Sequence, residues 1–202
     1  MNLETEYPVM EQFYTIQGEG FFTGLAAYFV RLGGCDVGCV WCDVKESWDA
    51  NNHPKLSVKD ILIEIKKTNA KICVITGGEP AMYDLTDLIY ALKLEGIQVN
   101  IETSGAYPII GNPDWICLSP KKFKFPIDES LKMAHEFKAV VFHPSDIQWA
   151  QTFVASLNKD CKLFLQPEWS KEKVILPQII DFVKHNTEWR ISLQTHKYMD
   201  IP

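Results

Sequence analysis

Three cysteines stand close together in a chain that otherwise scatters them: Cys35, Cys39 and Cys42, in the segment Cys-Asp-Val-Gly-Cys-Val-Trp-Cys. Three thiolates at C-x3-C-x2-C fill three corners of a four-iron cube. The fourth iron is then open to an outside ligand, to which it can pass an electron directly. A structural zinc site is the competing reading, and it would need a fourth protein ligand such as His53. His53 otherwise reads as a loop histidine beside Pro54. Trp41, between two of the thiols, reads as a shield against water or as a core aromatic. Cys73 and Cys117 lie inside apolar runs and Cys161 just before another. There a free cysteine behaves as a small hydrophobe, so none of the three is assigned to the cluster.

A second candidate is Thr76-Gly77-Gly78-Glu79-Pro80. Its glycines let backbone amides and carbonyls approach a ligand closely, while Glu79 supplies a charged acceptor or braces the turn; an ordinary strand-to-helix turn is the alternative. Arg31 by itself reads as a surface ion pair on its strand. Lys121, Lys122 and Lys124 form the only dense basic run, which by composition reads as a solvated loop.

The elements that must position these groups follow from periodicity. Strands are expected at Ala26–Leu32, 72–76, 98–102, 115–119, 137–142, 162–166 and 190–193. Helices are expected at 57–68, with Ser57 as N-cap, and at 84–95, stopped by Gly96. Further helices are expected at 129–136, 146–157 and 174–185. Strand and helix alternating in this way imply an α/β fold of mostly parallel strands joined by right-handed crossovers, with ligands at the carboxyl ends. A full eight-unit barrel takes about 250 residues, so a partial, open β/α barrel is expected.

At 202 residues, with no repeat or linker, the chain reads as one domain spanning 1–202. Its hydrophobic share of 47% and charged share of 23% are those of an ordinary globular protein. A net charge of -6 argues against nucleic acid as a partner. No signal peptide is read in residues 1–10 and no membrane-spanning run anywhere, so a reducing cytoplasm is expected.

The cysteine spacing and the Gly-Gly-Glu-Pro turn resemble those of the radical S-adenosylmethionine superfamily. Within it, the chain resembles the 7-carboxy-7-deazaguanine synthase family along nearly its whole length. The similar stretches are 13–24 (Phe-Tyr-Thr-Ile-Gln-Gly-Glu-Gly-Phe-Phe-Thr-Gly), 29–32, 101–105, 119–121 and 194–202. The resemblance implies a ring contraction of 6-carboxy-5,6,7,8-tetrahydropterin to 7-carboxy-7-deazaguanine with loss of ammonia, on the route to queuosine; a radical S-adenosylmethionine activase of a partner protein, or a non-catalytic zinc-binding module, is the alternative. It implies a 4Fe-4S cluster on Cys35, Cys39 and Cys42, S-adenosylmethionine as cofactor, a flavodoxin or ferredoxin as electron donor, and a homodimer. Carried over by position, Ile16, Gln17, Gly18, Arg31, Thr76, His196 and the carboxylate of Pro202 would bind the pterin. Trp41, Cys42, Asp43, Gly78, Glu79, Glu102, Ser119, Pro120, Lys121 and Gln166 would face S-adenosylmethionine. One departure stands out: Val44 occupies the place of a family Thr or Ser that helps hold Mg2+, and an isopropyl group offers no oxygen to a hard cation. Magnesium is therefore left without an assigned ligand: binding through substrate oxygens, water and Asp43 stays open, with metal-independent turnover as the alternative.

Overall fold

The computed structural model describes residues 1–202. Its strands are β1 (Glu6–Ile16), β2 (Ala26–Leu32), β3 (Lys55–Ser57), β4 (Ile72–Gly77), β5 (Gln98–Thr103), β6 (Trp115–Leu118), β7 (Glu136–Val141), β8 (Lys162–Pro167) and β9 (Trp189–Ile191). They form one sheet in the order β3-β1-β2-β4-β5-β6-β7-β8-β9. Pairing is parallel from β2 to β9 and antiparallel where β1 meets β2 and β3. The sheet does not close on itself, and the expected open, mostly parallel α/β architecture is what the chain adopts.

The helices are α1 (Val58–Ile65), α2 (Thr86–Leu94), α3 (Asp128–Met133), α4 (Ser145–Gln151), α5 (Glu172–His185) and α6 (Thr195–Met199). Ser57 caps α1 as its sequence predicts: its hydroxyl accepts from Asp60 N at 3.1 Å, and Asp60 Oδ2 accepts from Ser57 N at 3.2 Å. Such a cap contributes about 1 kcal/mol. Helix α1 turns Val58, Ile61, Leu62 and Ile65 inward. No helix is long and apolar enough to cross a membrane.

Strand parity separates the two faces of the sheet. Val30, Leu32, Cys73, Ile75, Val99, Ile101 and Ile116 point to the face covered by α1 and α2. Leu118, Phe137, Ala139, Val141, Leu163 and Leu165 continue that apolar layer beneath α3 to α5. The intervening positions, Arg31, Thr76, Glu102, Lys138 and Gln166, therefore point to the opposite, concave face. That face is polar, and it is where a site can form.

Several expectations need correction. Ala26–Leu32 is the second strand, because residues 6–16 form a long first strand that interrupted alternation and Pro8 conceal. Pro8 is tolerated because its carbonyl still accepts from Gly33 N at 2.8 Å, just past the end of β2, while Gly33 O takes its own bond from Tyr83 Oη at 2.7 Å. Glu136 begins β7 instead of ending α3 and accepts from Trp115 Nε1 at 3.1 Å. The helix expected at 146–157 stops at Gln151, and a separate 3-10 turn follows at Val154–Ser156. The last strand ends at Ile191, not at 193.

Candidate functional site

The cysteine loop leaves the carboxyl end of β2 and is stitched to its surroundings by backbone bonds. Gly34 N donates to Ser47 O at 2.6 Å, Cys35 N to Trp48 O at 3.0 Å, and Glu79 N to Gly34 O at 2.8 Å. The last of these bonds joins the cysteine loop to the Gly77-Gly78-Glu79 turn after β4. A Cβ on Gly78 would strike Gly34 O and crowd Cys35 Cβ, so only glycine permits this approach. Glu79, 1% exposed, accepts from Ala81 N at 3.0 Å and Ser104 N at 2.8 Å, and from the hydroxyls of Thr103 and Ser104. Each carboxylate oxygen thus has two donors, and Glu79 braces the turn against the end of β5.

At the opposite end, the β1–β2 hairpin folds across the open base of the sheet. Gly20 N donates to Ser192 Oγ at 2.9 Å, and Phe21 stacks on Trp115 with ring centroids 4.8 Å apart. The segment containing α6 docks on this hairpin: Thr195 N and Oγ1 both donate to Gly18 O at 2.9 Å, and Thr15 Oγ1 donates to Pro202 O at 3.3 Å. His196 lies so close over Gly18 that a Cβ there would run into Nδ1.

Between these two ends is a cavity of about 270 Å³. It is lined by Cys35, Cys39 and Cys42, by Ile16, Gln17, Gly18, Arg31 and Thr76, and by Trp41, Asp43, Val44, Gly78 and Glu79. Glu102, Ser119, Lys121, Gln166, His196 and Pro202 complete the same wall. Of the residues that the family resemblance places in the site, Pro120 alone is absent from the lining; it is buried. Arg31 Nε pairs with Glu11 Oε1 at 2.6 Å across the β1–β2 ladder. Lys121 donates to Ser119 Oγ at 2.6 Å and lies over the Trp41 ring, 5.4 Å from its centroid. Burial pushes Lys121 and His196 below their ordinary values, so His196 is neutral at pH 7.

Sequence reasoning missed the charges on the cavity floor. Lys138, 3% exposed, projects from the concave face of β7 and pairs with Glu19 Oε2 at 2.5 Å and Glu102 Oε2 at 3.8 Å. Gln194 Nε2 donates to Glu19 Oε1 at 2.8 Å, and Gln17 Nε2 to Glu102 Oε1 at 3.0 Å. Burial pushes the Glu19 carboxyl up, but the Lys138 ammonium and the amide donors outweigh it and hold it at about 2. The available signal was parity: a lysine alternating with Phe137, Ala139 and Val141 must occupy the other face of a buried strand.

The model of the Radical SAM superfamily matches residues 29–119, the stretch from β2 to the end of β6 that carries the cysteines and the glycine turn. A 7-carboxy-7-deazaguanine synthase from Flavobacterium psychrophilum is 55% identical, over 96% of this chain and 92% of the relative. One from Synechocystis sp. is 41% identical over 98% and 95%. The crystal structure of QueE from Escherichia coli superposes with a TM-score of 0.84 at 34% identity, covering 95% of each chain.

The chain belongs to the 7-carboxy-7-deazaguanine synthase family.

As a radical S-adenosylmethionine enzyme, a member of this family implies a 4Fe-4S cluster and S-adenosylmethionine, and the residues present fit both. Three thiols face the cavity, while no three His, Cys, Asp or Glu side chains converge closely enough to hold a single ion. A cube spreads its thiolates over separate corners, whereas zinc gathers its ligands at one point. His53, the fourth ligand that zinc would need, instead bonds Glu46 O through Nε2 at 2.9 Å. Burial pushes the Cys39 thiol to about 11 and raises Cys35 as well, so cluster loading must release protons from these two thiols. Cys73 and Cys117 are buried away from the cavity lining. For magnesium the side chains offer less. Val44 presents an isopropyl group to the cavity, and Asp43 Oδ2 lies 3.1 Å from Lys197 Nζ.

Proposed function

We propose that the chain converts 6-carboxy-5,6,7,8-tetrahydropterin to 7-carboxy-7-deazaguanine with loss of ammonia, as a carbon–nitrogen lyase on the route to queuosine and related 7-deazapurines. One observation carries this reading: the cluster thiols, the glycine turn, Arg31 and the hairpin floor all line one cavity. When bound, the cluster and S-adenosylmethionine supply the one-electron chemistry that begins hydrogen abstraction from the pterin.

The chain's own residues then bind and orient. Arg31 keeps its Nη groups for the substrate carboxylate while Glu11 holds Nε. The backbone of Ile16, Gln17 and Gly18, with Thr76, His196 and Pro202, surrounds the pterin. Neutral His196 serves as a hydrogen-bond partner without adding charge. Trp41, Asp43, Gly78, Glu102, Ser119, Lys121 and Gln166 face S-adenosylmethionine, with Glu79 and Pro120 holding the turns behind them. Lys197, paired with Asp43, supplies the positive charge beside Val44, and turnover proceeds without magnesium.

The enzyme works in the cytoplasm as a homodimer and takes electrons from a flavodoxin or ferredoxin. Its net charge of -6 suits neither nucleic acid nor an anionic membrane as a partner.

The test is anaerobic incubation of reconstituted protein with dithionite, S-adenosylmethionine and the carboxypterin. Formation of the deazaguanine acid supports the reading. A protein loaded with about four irons that makes none of it overturns the reading.

A further inference from the structure

The Lys138 ammonium joins three elements that the sequence keeps far apart: Glu19 on the β1–β2 hairpin, Glu102 near the end of β5, and β7 itself. It is the only cation paired with either carboxylate. The connections continue outward, through Gln194 on the Glu19 side and through Gln17 on the Glu102 side. Buried ion pairs are weak sources of stability, because an apolar replacement of similar volume often serves as well. A buried pair that borders a ligand cavity therefore calls for a reason other than stability.

We propose that Lys138 is a positioning residue that holds the hairpin floor and the Glu102 wall in register, acting through Glu19 and Glu102. It rests on the proposed reaction only for which ligand each wall faces.

The other titratable groups facing this pair are Glu136 on β7, Cys117 on β6, Lys121 beyond β6 and His196 on α6. None replaces the lost charge at Glu19 when Lys138 is removed. Burial then acts on Glu19 unopposed, and its carboxyl rises toward the working pH.

The experiment compares Lys138→Met with Lys138→Met/Glu19→Gln, reading kcat/KM against pH. In Lys138→Met, kcat/KM falls about 100-fold, the cost of a misplacement near 1 Å. KM rises for both the pterin and S-adenosylmethionine. Activity also falls further as pH drops, because Glu19 takes up a proton; the double variant loses this acid limb. Carboxyl 13C NMR on glutamate-labelled, cluster-loaded protein follows Glu19 without turnover, its signal assigned by its absence in Glu19→Gln. A wild type that makes no deazaguanine would defeat the proposed reaction, while the carboxyl titration would still decide the role of Lys138. A flat pH profile in Lys138→Met, an unmoved Glu19 titration, or a rise in only one KM overturns the proposal. Should Lys138→Met not fold, the double variant, with no isolated Glu19 charge, carries the two-KM test.

Discussion

Lys197 Nζ sits 3.1 Å from Asp43 Oδ2, so the last helix reaches the residue directly after the third cluster cysteine. With Val44 beside this pair, the charge available there belongs to the protein. Turnover should be unchanged by EDTA or by added MgCl2. Lys197→Met should raise the pterin KM about tenfold, from losing a charge-assisted bond of about 1.5 kcal/mol. Val44→Thr restores a hydroxyl and should make the rate respond to magnesium. A wild-type rate that collapses on chelation would refute the assignment to Lys197.

Iron content should follow the division between the six cysteines. Cys39→Ala should lose the 4Fe-4S chromophore on anaerobic reconstitution, whereas Cys73→Ala, deep in the layer under α1 and α2, should keep it. Iron and sulfide analysis of both variants reads this directly. Equal retention would remove Cys39 from the ligand set.

Glu79→Gln should destabilise the fold, since an amide nitrogen cannot accept the bonds now made by Ser104 or Thr103. Leaving such donors unmatched costs about 1 to 3 kcal/mol. For a chain of this size that is a fall in Tm of about 2 to 12 °C, measurable by scanning calorimetry.

Gly18→Ala should push His196 off the hairpin while leaving the sheet intact. Hydrogen exchange should quicken at Thr195, whose N–H now bonds Gly18 O, and remain slow in β4 and β5. A protected Thr195 amide in the variant would show that the two segments yield locally.

Folding stability should weaken in acid in a defined window. Glu19 is held at about 2 in the folded protein, against an ordinary 4.5, so the folded state binds its proton less readily. Its contribution is complete above pH 4.5 and is lost as pH falls toward 2. Urea titrations between pH 7 and 3 should show this loss, and Glu19→Gln should flatten it.

Much of the site was legible because its chemistry demands particular residues at short range. Cys35, Cys39 and Cys42 lie within one loop, Gly78 and Glu79 within one turn, and Ser57 signals α1 through a local cap. What escaped reading was built over long range. Lys138 reads as one polar letter in an ordinary strand until β7 is known to be covered on one face by helices and to face a cavity on the other. Glu19 lies 119 residues from it in sequence. Strand β1 was hidden for a different reason: pairing with β2 decides its conformation, overriding the weak local signal around Pro8, Glu11 and Gln12.

The bonds from Thr195 to Gly18 span 177 residues. On a ribosome adding about 5 to 20 residues per second, Gly18 waits roughly ten to thirty-five seconds for that partner to be made. The loop that receives iron can settle early against its neighbouring turn, but the floor beneath it is finished last. The contacts that shape the cysteine loop, from Gly34 to Ser47 and from Glu79 to Gly34, are all within reach before Thr195 exists, so a nascent chain has a place for the metal before it has one for the pterin.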